Sequence, residues 1–168
     1  MKEKLKIRLD IDTREHQDKN NHILDYLFEN DISYRYVTLN VGDYALSDSK
    51  EIAVDRKSGL MELAQNCNQD HERFRNELLR ANANGTRLYI LVEEPYIYSV
   101  NQVHTYKIPK YKSTTANHKK GEPKAKWSPE VLEKQLKTMQ EKYGVTFLFC
   151  KKEKTAQIII KLLTGKME

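Results

Sequence analysis

At 168 residues, with 39% hydrophobic and 32% charged side chains, the chain is long enough to bury one substantial core and too apolar for global disorder. Its formal charge of +5 and pI near 9.0 are moderate, so the placement of the charges says more than their total. No stretch approaches the roughly 18 consecutive apolar residues of a membrane-spanning helix, and the opening MKEKLKIRLDID has no signal-peptide run, so an intracellular, cytoplasmic protein is expected.

Taken in chain order, LKIRLDI at residues 5–11 alternates apolar and polar side chains and predicts a strand that ends in the turn-prone DTRE. Ile23, Leu24, Leu27 and Phe28 recur at helical spacing and predict a first helix. SYRYVTL, VGDYALS and EIAVDRK then predict three short strands, expected to form a compact meander. Leu60, Leu63 and Ala64, followed by Phe74, Leu78 and Ala81, mark one or two helices closed by Asn84-Gly85. RLYILVEE reads as a buried strand.

Between residues 107 and 126 there are seven lysines (Lys107, Lys110, Lys112, Lys119, Lys120, Lys124, Lys126) against one acid, Glu122, which leaves the remainder close to neutral. Beyond them, Ser128-Pro129 offers a helix N-cap with proline at the first position, and Leu132, Leu136, Met139 and Tyr143 form one apolar stripe. VTFLFC predicts the last strand; Ala156, Ile159, Ile160 and Leu163 line the last helix. The order β, α, β, β, β, α, α, β, loop, α, β, α predicts an α/β fold with a mixed central sheet flanked by helices. A single domain over residues 1–168 is expected, with the Lys-rich loop inserted at about 104–127.

The acids gather at predicted strand ends: Asp10, Asp12 and Glu15, then Asp43, then Asp55 with Lys57 two residues on. Strand ends converge distant sequence onto one rigid site. Side chains alternate along a strand, so Asp55 and Lys57 share a face about 7 Å apart along the chain. Two carboxylates of this kind can hold a hard divalent cation, Mg²⁺ or Mn²⁺, and a neighbouring lysine can balance charge or handle a proton. Taken singly, each feature also has an ordinary reading: a Gly-Asp turn, a solvated Asp-x-Lys pair, an acid capping a helix. Cys67 and Cys150 lack metal-ligand spacing, and His16, His22, His71 and His104 form no HxH or HxxxH pair, which argues against zinc.

The run LNVGDYALSDSKEIAVDRKSGLMELAQN resembles the nuclease domain of XPF-type structure-specific endonucleases, a branch of the PD-(D/E)xK superfamily. Its hallmark of G-D-Y followed by E-R-K-S appears as Gly42-Asp43-Tyr44 and Asp55-Arg56-Lys57-Ser58, and the likeness extends from IDTRE to LYILVEE, roughly residues 5–94. The resemblance implies a restriction-endonuclease-like fold, metal ligation by Asp43, Asp55 and the Arg56 carbonyl, and Lys57 as the catalytic lysine. Glu15 and Asp12 are expected near the metal. Asp55 stands where the family usually has Glu, and Met61 where it has a downstream Asp, with Glu62 the nearest acid. No tandem helix-hairpin-helix module follows in this sequence, so a stand-alone form similar to short bacterial and phage proteins is expected.

The expected substrate is DNA, branched or flapped, cut to leave a 5′-phosphate, and a homodimer is the expected assembly. The Lys-rich segment, interleaved with Tyr106, Tyr111, His118 and Trp127, is a candidate for gripping phosphates and stacking on unpaired bases, with Arg73, Arg75 and Arg80 as a second candidate face. A solvated insertion and a solvated helix surface are the plain alternatives. Two rival functions share the fold: a catalytically silent DNA-binding module and a Holliday-junction resolvase. The joint presence of Asp43, Asp55 and Lys57 favours an enzyme.

Overall fold

The computed structural model describes residues 6–15, 17–109 and 127–166. Its elements follow the predicted order: β1 (Arg8–Asp12), α1 (Asn21–Glu29), β2 (Ser33–Val37), β3 (Tyr44–Leu46), β4 (Ser49–Lys57), α2 (Leu60–Asn68), α3 (His71–Ala83), β5 (Arg87–Glu93), α4 (Pro129–Tyr143), β6 (Thr146–Cys150) and α5 (Thr155–Thr164). They build a mixed six-stranded sheet in the order β2-β1-β3-β4-β5-β6.

The three strands expected as a meander do not form one. β3 and β4 are antiparallel neighbours, but β2 lies on the far side of β1, parallel to it, with Arg8 opposite Ser33 and Asp12 opposite Val37. Burial explains the difference. Four of the five residues of β1 are buried, which demands a neighbour on each edge, whereas β2 is exposed over Ser33, Tyr34 and Arg35 and suits the sheet margin. The helix between them supplies the crossover that a parallel pair requires.

Each face of the sheet carries its own core. On one, Leu60, Leu63, Phe74, Leu78, Leu132 and Leu136 from α2, α3 and α4 cover Ala53, Leu88, Ile90 and Val92. On the other, Ile23 and Leu27 of α1 and Ala156, Ile159, Leu162 and Leu163 of α5 cover Leu9, Ile11, Val54 and Leu91. Phe28, predicted to join the first helix's apolar stripe, is instead 84% exposed, because α1 ends one residue later and its buried side is carried by Ile23 and Leu27. Cys67 and Cys150 are buried free thiols. No helix among the described residues is long and apolar enough to cross a membrane.

Local chemistry fixes the helix ends. Ser128 caps α4, its hydroxyl accepting the Val131 N–H at 3.2 Å with Pro129 at the first position, and Gly144 ends the helix in the left-handed region at φ +68°. A 3-10 turn at Val100–Thr105 packs on α4, where Glu133 accepts the His104 N–H at 2.8 Å. Leu136, fully buried in the α2–α3–α4 layer, is a sensitive probe of that packing. Leu136→Ala is expected to cost about 2–5 kcal/mol of unfolding free energy, read as a lower urea midpoint with an unchanged slope.

Candidate active site

Gly42 turns the chain at φ +73°, a conformation that L side chains rarely adopt, and a Cβ there would meet the Ala53 Cβ at 3.0 Å and the Val54 carbonyl oxygen at 3.1 Å. Glycine thus lets the turn lie flat against β4. Asp43 follows as a rung between two strands: its N–H donates to the Val54 carbonyl and its own carbonyl accepts the Asp12 N–H, both at 2.8 Å. Its carboxylate accepts the Arg56 N–H at 2.9 Å. Arg56 lies past the last β3–β4 residue pair, Tyr44 with Val54, so the Asp43 side chain takes the place of a strand partner there.

Asp55 and Lys57 project from the same face of β4 as the sequence predicts, the Lys57 Nζ 3.0 Å from the Asp55 Oδ1. Lys57 also donates to the Asn66 Oδ1 of α2 at 3.1 Å and lies 5.5 Å from the centre of the Phe74 ring of α3. Burial alone would lower the lysine's pKa, but Asp55 and Asp43 more than offset it and hold the ammonium above its ordinary range. Asp43 moves the other way. Burial, then the Asp55 and Glu15 charges, push its carboxyl well above the usual carboxylate value.

The opposite face of β4 carries a buried ion network. Arg56 Nη2 and Nε donate to the two carboxylate oxygens of Glu15 at 2.8 and 3.1 Å, and Nη1 donates to Glu93 of β5 at 2.6 Å. Glu93 in turn accepts the Thr155 hydroxyl at 2.6 Å and lies 2.6 Å from His22 Nε2. The loop after β1, the strands β4 and β5, and the helices α1 and α5 are tied together through one guanidinium. Asp12 is buried with both oxygens engaged, one by Arg14 Nε at 2.7 Å and the other by the Leu39 N–H at 3.0 Å. Asp10 belongs to a separate cluster, where hydrogen bonds from Arg35, and then Lys50 and Ser47, hold its carboxyl well below the usual range.

The residues fit a divalent cation on two observations. The Asp55 Oδ1, on a side chain only 4% exposed, is met by the Lys57 ammonium at 3.0 Å in an ion pair and accepts no further hydrogen bond among the described residues. Two carboxylates, Asp43 and Asp55, also share a site where their charges oppose one another. No three His, Cys, Asp or Glu side chains among the described residues stand close enough together to surround an ion. The carboxylate oxygens of Asp43 and Asp55 are hard donors of the kind that suit a divalent cation keeping several of its waters.

Glu62 is occupied elsewhere, accepting the Ser58 N–H at 2.6 Å and the Ser58 hydroxyl at 2.8 Å at the start of α2. Three residues at the site escaped sequence reasoning: Asn66, Glu77 and Glu93. Glu77 accepts the Gly42 N–H at 2.9 Å, and burial followed by the Asp55 charge pushes it up to about 7. Its signal was present, since it sits three residues after Phe74 and four before Ala81 on the buried stripe of α3.

Arg73 and Arg75 are exposed on α3, and Arg80 donates to the Asn40 carbonyl at 3.0 Å. Lys107 is exposed; Lys110, Lys112, Lys119, Lys120, Lys124 and Lys126, with Tyr111, His118 and His16, lie outside the described residues. Tyr106 and Trp127 stack on one another, ring centres 6.4 Å apart, and pack against the core. Their large apolar rings gain more from that burial than from exposure to solvent.

The ERCC4 domain family matches residues 11–163. Two solved structures have similar folds: XPF from Aeropyrum pernix, at 20% sequence identity, and XPF from Aeropyrum pernix in complex with DNA, at 18%. Each has a TM-score of 0.62, and each match covers 95% of this chain and 64% of the other. At that identity the likeness is one of fold, and the chain spans less than two thirds of those chains. No curated protein matches it.

Arg56→Ala leaves Glu15 and Glu93 buried without their counter-charge. A loss of about 3–5 kcal/mol in chemical denaturation is expected. Arg56→Lys, which keeps the charge but cannot span both carboxylates, should fall between that variant and the parent.

Proposed function

The chain belongs to the ERCC4 domain family, and on that premise we propose that it is a divalent-cation-dependent endonuclease hydrolysing DNA phosphodiester bonds. The observation that carries the reading is the juxtaposition of Asp43 and Asp55, with a buried Asp55 oxygen ion-paired to Lys57 at 3.0 Å and accepting no further hydrogen bond among the described residues. A silent binding module gains nothing from two opposed carboxylates in one site.

Asp43, Asp55 and the Arg56 carbonyl would hold Mg²⁺ or Mn²⁺. Once bound, such an ion neutralises charge on the phosphoryl oxygens and makes water a better nucleophile at neutral pH. The remaining work belongs to the chain. Lys57, kept protonated by Asp55 and Asp43 and aimed by Asn66, offers an ammonium to the extra negative charge of the transition state. Arg56 fixes the strand from behind: its side chain is locked by Glu15 and Glu93 while its N–H holds Asp43 in register. Glu15 therefore acts through Arg56, and Asp12 through the loop at Leu39.

The substrate side of the proposal is branched or flapped DNA, with the lysines of residues 107–126 and the exposed Arg73 and Arg75 neutralising phosphates. That the similar XPF from Aeropyrum pernix was solved in complex with DNA supports this reading. Labelled duplex, single strand, flap, fork and four-way junction, each with and without Mg²⁺, test substrate and cation together; preference for the four-way junction would favour a resolvase.

Asp43→Asn and Asp55→Asn are each expected to abolish cleavage with the fold retained, and Lys57→Ala to slow it about 10²- to 10⁴-fold with little loss of DNA affinity. Near-parental cutting by either Asn variant at limiting Mg²⁺ would rule out the assignment. Replacing four lysines of residues 107–126 by glutamine is expected to weaken binding and flatten the log-log salt dependence by about 0.7–0.9 for each phosphate no longer neutralised. An unchanged salt slope would leave the grip to the α3 arginines.

A further inference from the structure

α3 turns one acid toward the site. Glu77 lies on the buried stripe with Phe74, Leu78 and Ala81, and one of its carboxylate oxygens accepts the Gly42 N–H at 2.9 Å. That N–H belongs to the left-handed turn that delivers Asp43 one residue later. The charged groups around Glu77 are Asp55, Lys57 and Arg14, and the guanidinium of Arg14 is more than half exposed and paired with Asp12. Lys57, the one buried ammonium among the described residues, is already at contact distance from Asp55.

We infer that Glu77 is a third carboxylate of the cation site: it strengthens cation binding by its charge facing Asp55 and, through Gly42, positions the turn that presents Asp43. This rests on the cation-dependent reading above. Nothing in the cation-free protein requires the charge. An amide would accept the same Gly42 N–H, and a carboxylate set beside Asp55 raises the free energy of the empty site. A second observation is the buried Asp55 Oδ1, which has the Lys57 ion pair and no further hydrogen bond among the described residues to fill its remaining acceptor capacity. Glu77 is a positioning residue that acts on the cation through the field at Asp55, since no three acids among the described residues are close enough to ligate together.

Glu77→Gln separates charge from structure, because the amide oxygen can still accept from Gly42. In the full chain without DNA, Mn²⁺ affinity measured by titration calorimetry should fall about 10- to 100-fold, as for other groups that support metal ligands. The cation-free Tm should stay equal or rise as the opposed charges are relieved, and the Tm shift produced by Mn²⁺ should shrink. Glu77→Ala should lose Mn²⁺ affinity and cation-free Tm together.

Unchanged Mn²⁺ affinity in Glu77→Gln overturns the inference, as does a drop in cation-free Tm matching that of Glu77→Ala, which would mark a purely structural acid. Asp55→Asn, run in parallel, distinguishes the two levels. If Asp55→Asn abolishes Mn²⁺ binding and Glu77→Gln leaves it unchanged, only the role of Glu77 falls; if the parent itself binds no Mn²⁺, the cation-dependent reading falls with it.

Discussion

Holding Asp43 against Asp55 is the constraint on which this structure turns. Like charges brought together where water is scarce raise each other's free energy, and burial first and the Asp55 charge next push the Asp43 carboxyl well above its usual value. A flexible chain would relax by moving one carboxylate out to solvent. Here both are held: Asp43 is fixed at its N–H, its carbonyl and its carboxylate, and Asp55 sits within β4 in register with Ile90 of β5. The backbone ladder converts hydrophobic burial elsewhere into a fixed electrostatic strain at one point.

The period of a strand divides the labour. Along β4, Asp55 and Lys57 face α2 and α3, while Val54 and Arg56 face α1 and α5. Chemistry and scaffold thus occupy alternate residues of one segment, joined by the Arg56 peptide, whose N–H serves the first face while its side chain anchors the second. A buried arginine between two glutamates is costly to desolvate and contributes little net stability by itself. Its value is positional. It commits β1, β4, β5, α1 and α5 to one arrangement, so the edge presented to Asp43 cannot drift.

Much of this was legible in the sequence, and the missing parts share a cause. Helices and strands came from periodicity, and the end of α3 at Asn84 and the start of α4 at Ser128 from capping chemistry, because those signals are local. Asp43, Asp55 and Lys57 stood out because alternation and turn chemistry announce them within a few residues. Which strand lies beside β1 did not, since edge preference depends on burial from helices far along the chain. The role of Arg56's side chain was hidden for the same reason: its partners are 41 and 37 residues away. Glu77 is the instructive omission, because an acid on an otherwise apolar stripe is a local anomaly that pointed to a buried partner.

The charge pattern has a physical consequence for any anionic polymer approaching the site. Asp43, Asp55 and Glu77 lie about the buried Lys57 ammonium, and burial with their acidic neighbours holds the carboxyls of Asp43 and Glu77 above their usual range. β4 and β5 are parallel, so the chain leaving Glu93 toward the Lys-rich residues departs from the same sheet end at which Lys57 stands. On the proposed function, attraction over distance and neutralisation at close range would fall to different parts of the chain. Lysines in water exert a field over about 8–10 Å at moderate salt, whereas a cation lodged between buried carboxylates acts only on what touches it. On the proposed function, separating the two would let binding depend on ionic strength and the chemistry on the cation, and would reconcile an acidic centre with a chain whose net charge is +5.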